Sequence, residues 1–290
     1  MDWTLPMSVL DGPWTHKFMV SNGVKLHYVT QGEGRLILFL HGFPEFWYSW
    51  RHQIPEFAKD HKVVALDLRG YNQSDKLPDP ASYSLDELIL DIEGVIQGLG
   101  YDRCYLVGHD WGGLVAWAMA DAHPEMIAKL AILNCPHPAK FREGLFSPVQ
   151  LLRSWYILGF QLPWLPEALL EWNDYGAIAQ LFREGAVNQG AFTAADLDAY
   201  QNAAASRGAL HAMVNYYRNL FQTLLVRDWP LLKVPTLMLW SEQDKTLGKE
   251  LTYGTEDYVQ DINIHYIPHC GHYIQQEQPH LVNQYLREFL

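Results

Sequence analysis

Short, nearly continuous apolar runs recur at Leu36 to Leu40, Val63 to Leu66, Cys104 to Val107, Leu130 to Leu133, Thr236 to Trp240 and Ile264 to Ile267, each closing in a turn-forming corner. Runs of that length without polar alternation predict strands buried on both faces. Helical spacing fills much of the chain between them. Ser84 to Leu99 sets Leu85, Leu88, Ile92, Val95 and Ile96 on one face, and Leu114 to Asp121 reads the same way. Buried strands alternating with helices predict an α/β fold: a mostly parallel sheet with flanking helices and right-handed crossovers. A hairpin comes first, because Phe18 to Val20 and Val24 to Val29 flank Asn22-Gly23, a dipeptide that tolerates positive φ. Between Pro138 and Pro230 the strand pattern stops, and a segment rich in Leu, Ala, Trp and Tyr keeps helical spacing. The sheet resumes at Thr236. The predicted organisation is therefore a core of residues 1–137 and 231–290, with a helical cap, 138–230, inserted into it.

Composition narrows the partners. Twenty-one Lys and Arg against 33 Asp and Glu give a formal charge of −12, and no basic patch interrupts it, which excludes nucleic acid and anionic membrane as expected partners. Charged residues make 19% of the chain, below the about 25% of an ordinary domain, while the aromatic share is 13%. That predicts a large core with aromatic area to spare. No run approaches the roughly 20 apolar residues of a membrane span, and Met1-Asp2-Trp3-Thr4-Leu5-Pro6 has neither the basic nor the apolar region of a leader. Cys104, Cys135 and Cys270 are too few and too far apart for a disulfide framework or a CxxC metal pair. A soluble cytoplasmic protein is expected.

The richest motif is Gly108-His109-Asp110-Trp111-Gly112-Gly113, directly after a predicted strand and directly before a predicted helix. Its Gly-x-nucleophile-x-Gly spacing is that of a nucleophile elbow, with Asp110 at the reactive position. Taken alone, the same residues would serve as a turn whose Asp caps the helix. A carboxylate nucleophile suits displacement at saturated carbon and leaves an alkyl ester whose carbonyl belongs to the protein. Hydrolysing that ester needs a base for water and an oxyanion hole aimed at the Asp carboxyl. His41-Gly42-Phe43-Pro44 offers the hole, through the Phe43 amide together with that of Trp111, and His41 reads as a structural residue of the corner. His272, after the last strand, is the expected base; Gly271 frees its side chain, which sets it ahead of His269. Asp244, farther from its strand end than Glu242, is the expected orienting acid.

His41-Gly42-Phe43-Pro44-Glu45, Asp67-Leu68-Arg69-Gly70-Tyr71, the Asp110 elbow and Cys270-Gly271-His272 together resemble the epoxide hydrolases of the α/β-hydrolase fold, from about residue 15 onwards. The elbow and histidine motifs are shared with haloalkane and fluoroacetate dehalogenases, so a haloalkane dehalogenase using the same triad is the alternative activity. A non-catalytic ligand-binding member of the fold is a third reading, disfavoured by an intact triad. The resemblance implies two cap tyrosines that protonate the opening ring. Tyr156, in Ser154-Trp155-Tyr156, matches the first position, and Tyr217, before Arg218-Asn219, matches the second, with its neighbour Tyr216 as competitor. Phe43 cannot supply the side-chain donor a dehalogenase uses for halide, and no arginine follows the nucleophile to hold a substrate carboxylate. An uncharged, apolar epoxide and water are the expected substrates, with no metal or organic cofactor. Phe43, Pro44, Trp111 and Trp155 are expected to touch the substrate.

Overall fold

In the computed structural model, which describes residues 9–290, eight strands form one sheet. The N-terminal Met1-Asp2-Trp3-Thr4-Leu5-Pro6, read above for a leader, lies outside the described residues. The strands are β1 (Thr15–Ser21), β2 (Val24–Gln31), β3 (Arg35–Leu40), β4 (His61–Leu66), β5 (Cys104–His109), β6 (Ile127–Leu133), β7 (Thr236–Ser241) and β8 (Ile262–Ile267). Their spatial order is β1-β2-β4-β3-β5-β6-β7-β8. β1 and β2 form the hairpin, with Ser21 opposite Val24 and both turn residues, Asn22 and Gly23, at positive φ. β2 pairs antiparallel with β4, and every pairing from β4 to β8 is parallel. The apolar runs from Leu36 to Trp240 become inner strands because both faces are covered, as in β5, where all six residues are buried; the last run, Ile264 to Ile267, instead falls in the edge strand β8, where only Ile267 is buried.

Helix Leu85–Gly98 buries the stripe anticipated from spacing, Leu85, Leu88, Ile92, Val95 and Ile96, and opens with Asp86 and Glu87, whose charges suit a helix N-terminus. The helix after β5, Trp111–Ala122, is buried all round from Trp111 to Ala120. It packs on β5 and β6 and against helix Leu85–Gly98, which itself packs on β1. Parallel strands put their carboxyl ends on one edge, so the loops after β3, β5, β7 and β8 converge there.

Six α-helices and a single 3₁₀ turn, and no strand, are described between β6 and β7. They include Pro148–Arg153, Trp155–Gly159, Leu165–Gly185, Ala194–Ala205 and Ala209–Val226. Helix Ala194–Ala205 starts with a reciprocal capping box between Thr193 and Asp196. Leu165–Gly185 is interrupted at Trp172 to Tyr175, where the backbone leaves helical geometry. No helix among the described residues is long and apolar enough to cross a membrane.

Candidate active site

Asp110 sits at the turn from β5 into helix Trp111–Ala122 with φ 48° and ψ −118°. A non-glycine residue held there stores strain of about 1–3 kcal/mol, which the neighbouring packing must hold in place. Gly112 shows how tight that packing is: a Cβ on it would stand 2.3 Å from the Leu40 carbonyl oxygen and 2.5 Å from that of His41. The elbow can therefore press directly on the end of β3. One carboxylate oxygen, Asp110 Oδ2, accepts the Phe43 N–H at 2.8 Å from a corner that contains a cis Phe43–Pro44 bond. The other, Oδ1, lies 3.8 Å from His272 Nε2.

His272 donates from Nδ1 to Asp244 Oδ2 at 2.8 Å, which leaves Nε2 facing the elbow. Asp244 is fixed by the amides of Thr246 (2.8 Å) and Leu247 (3.0 Å), both donating to Oδ1. Burial would lower the His272 pKa, but Asp244, followed by Asp110 and Glu45, outweighs it and raises the imidazole to about 9. The competitors are elsewhere. Glu242 is exposed and lies 3.6 Å from Lys249, and His269 is exposed with φ 56°. His41 donates from Nδ1 to the Gly42 carbonyl and accepts the Leu68 amide at Nε2, so both nitrogens serve the corner.

Above the elbow an apolar cavity is lined by Asp110, Trp111, Tyr156 and Tyr217, with walls that include Leu114, Phe141, Ile157, Leu220 and Leu247. The two phenol rings stand 5.9 Å apart, and Tyr217 also packs edge-on against Trp111 and Phe43. Burial first, then the Asp110 and Asp244 charges, raise the Tyr156 pKa; burial, Tyr156 and Asp110 raise that of Tyr217, against a lowering hydrogen bond from Trp111. Both phenols keep their protons and can donate. Tyr216 points away, and its buried hydroxyl donates to the Arg69 carbonyl at 2.8 Å.

Three expected substrate contacts need correction. Trp155 lies on the outside of the cap, 69% exposed, and does not line the cavity. Successive helical residues diverge by about 100°, so turning Tyr156 inward turns Trp155 outward. Pro44 is buried in the corner and is also absent from the lining, as is Phe43, which packs on Tyr217 and Phe160.

Sequence reading missed the groups beneath the site. Glu45 is fully buried, accepting from the Gly42 amide and from the side chains of His109, Gln275 and Gln276. Burial raises its pKa, and His109, with the Gly42 amide and His41, more than reverses that, holding the carboxyl below its usual range. His109 donates from its other nitrogen to the His272 carbonyl at 2.8 Å. Asn134, at φ 42° after β6, donates to the same carbonyl at 2.9 Å. An acid placed three residues past the His-Gly corner and a histidine beside the nucleophile were the available signals.

The sequence pattern of the alpha/beta hydrolase fold family matches residues 35–279. Epoxide hydrolase 4 of Mus musculus is 43% identical over 277 residues, covering 93% of this chain and 77% of that protein. Epoxide hydrolase 1 of Caenorhabditis elegans is 40% identical over 290 residues, covering 98% and 72%. Among solved structures, a Bacillus megaterium epoxide hydrolase in complex with an inhibitor superposes with a TM-score of 0.89 at 39% identity, covering 94% of this chain and 99% of that one.

Proposed function

The chain belongs to the epoxide hydrolases of the α/β-hydrolase fold, and from that premise we propose that it converts an apolar epoxide to a vicinal diol through a covalent ester on Asp110. The observation that carries this reading is the shared cavity: two protonated phenols, Tyr156 and Tyr217, line the same space as the Asp110 carboxylate. Asp110 Oδ1, the oxygen not engaged by Phe43, attacks a ring carbon. The carbon–oxygen bond breaks, and the departing oxygen takes a proton from the phenols, which an alkoxide leaving group requires.

The ester then has Oδ2 as its carbonyl oxygen, already held by the Phe43 amide. Esterification removes one of the negative charges that raise His272, so its pKa falls from about 9, its proton passes to the phenolate left by ring opening, and the neutral base becomes available. His272, oriented by Asp244, takes a proton from water as that water adds to the ester carbon. Negative charge collects on Oδ2, where the Phe43 amide and the Trp111 amide at the helix N-terminus receive it. Collapse breaks the bond between the Asp110 carboxyl carbon and the substrate oxygen, that oxygen takes the remaining proton of the added water, and the diol leaves with Asp110 a carboxylate and His272 protonated as at the start.

The apolar walls favour an uncharged substrate over a carboxylated one. We read the helical segment 138–230 as the cap that carries both phenols. A single turnover in water enriched in heavy oxygen tests the covalent route. The label is expected in Asp110 and ordinary oxygen in the first diol; label entering that diol directly excludes the ester.

A further inference from the structure

Two consecutive amides of the loop that carries the base are tied to the cap. The His272 N–H donates to the carbonyl of Gly185, the last residue of helix Leu165–Gly185, at 3.0 Å. The Gly271 N–H donates to Glu277 Oε1 at 3.0 Å. The second oxygen of that carboxylate, Oε2, accepts the amides of Val187 (2.7 Å) and Asn188 (2.9 Å), just beyond the same helix end. Glu277 is 3% exposed and forms no ion pair among the described residues. A buried carboxylate is costly unless its lone pairs are filled, and here three backbone N–H groups from two separate loops fill them. The approach of the loops is close. A Cβ on Gly271 would stand 1.9 Å from the Gly185 carbonyl oxygen.

From this arrangement we infer that Glu277 is a positioning residue for the reaction: it fastens the base loop to the end of the long cap helix and so sets where His272 stands relative to Asp110. The inference rests on the reading that His272 activates the water. Glu277 touches neither Asp110, Tyr156 nor Tyr217, so ring opening does not depend on it. Ester hydrolysis does, because His272 must hold its place over the ester carbon, and a displacement of about 1 Å at such a group costs up to about a hundredfold in rate. Only a carboxylate suits the position. An amide in its place turns one acceptor into an NH₂ donor, which then faces either the Gly271 N–H or the Val187 and Asn188 pair, donor against donor.

The test is Glu277→Gln, mixed rapidly with styrene oxide while tryptophan fluorescence follows ester formation and breakdown, with acid-quenched samples checked by mass for the Asp110 ester. Ester formation is expected within about twofold of the unsubstituted protein, and breakdown about ten- to a hundredfold slower, so the ester accumulates. A parallel fall in both rate constants, as a general loosening of the fold would give, overturns the inference. Unchanged breakdown overturns it too. Hydrogen exchange in the unsubstituted protein gives a second reading if the variant does not fold. The Gly271 amide is expected to be as protected as the amides of β8, and exchange at the rate of an exposed loop overturns the clamp. If the unsubstituted protein forms no ester with any epoxide, the proposed activity fails, while the exchange measurement still decides whether the clamp exists.

Discussion

Tyr216 and Tyr217 are adjacent, both buried, and use their hydroxyls differently. The Tyr216 hydroxyl is bound to the Arg69 carbonyl, whose own side chain is paired with Asp91, so it belongs to the packing beneath the cap. Both rings pack edge-on against Trp111, but it is Tyr217 that lines the cavity with Asp110 and Tyr156. Tyr216→Phe is expected to lower unfolding free energy by roughly 1–2 kcal/mol, because a buried carbonyl loses its donor, and to leave turnover close to that of the parent. Tyr217→Phe is expected to do the reverse: little change in a urea unfolding curve and a loss of about a hundredfold in ring opening. Turnover falling in the first variant and not in the second would reassign the acid. The sequence could not separate these two, because adjacency says nothing about which helical face meets the cavity. Asp110, Asp244 and His272 were legible because the corners that present them are local: glycines at fixed spacing around the first, a strand end before the others. Trp155 was misplaced for the reason Tyr216 stayed ambiguous, that facing is a tertiary property. Glu277 was invisible, since its three donors come from loops separated by more than eighty residues of chain.

At the scale of elements, β3 to β7 could be read from sequence because burial on both faces leaves an unbroken apolar run, whereas β8, expected to be buried in the same way, is the edge strand with only Ile267 buried; all six appear where their runs lie, extended by up to three residues at an end. Helix Leu85–Gly98 was equally plain, having one wet face. The cap was legible as helical but not helix by helix. Its helices pack partly on one another, so apolar positions fall on more than one face, and the interruption at Trp172 to Tyr175 is marked only by Asn173-Asp174 and the Gly176 that follows it. The elbow carries a prediction of its own. Gly112→Ala places a methyl group 2.3 Å from the Leu40 carbonyl, and neither partner is a flexible side chain, so the helix must move off the end of β3. A loss of about 2 kcal/mol or more is expected, together with loss of ester formation as Asp110 leaves Phe43. Gly159→Ala is the control, because a Cβ there meets nothing within 4 Å; its unfolding midpoint should stay within about 0.5 kcal/mol of the parent. Equal stability in the two variants would show that the elbow tolerates a gap between the strand and the helix.

Over the whole molecule, the site's electrostatics must appear in the pH dependence of stability. His272 is raised from 6.5 unfolded to about 9 folded, so the native state holds a proton that the unfolded chain releases. The resulting stabilisation is complete below pH 6.5, declines as pH rises above it, and is gone once pH passes about 9; its full size is on the order of 3 kcal/mol. Other buried groups titrate in different windows. His52 and His137 are depressed to about 4 and about 3, burial being the main cause, so their contributions are present above pH 6.5 and are lost only on acidification. Asp91, raised by burial to about 6 despite Arg69, completes its titration below neutral pH. The buried cysteines begin to matter near pH 9, where burial keeps Cys104 and Cys270 protonated while the unfolded chain ionises. Subtracting a His272→Gln variant removes all of these shared terms. The difference in unfolding free energy between the parent and that variant, measured by urea at pH 6, 7, 8 and 9, is therefore expected to favour the parent most at pH 6 and to shrink by roughly 1 kcal/mol for each unit from pH 7 to 9. A difference that stays flat over that range would mean that Asp244 and Asp110 do not hold a proton on His272 in the resting protein, and the base would then be neutral before the ester forms.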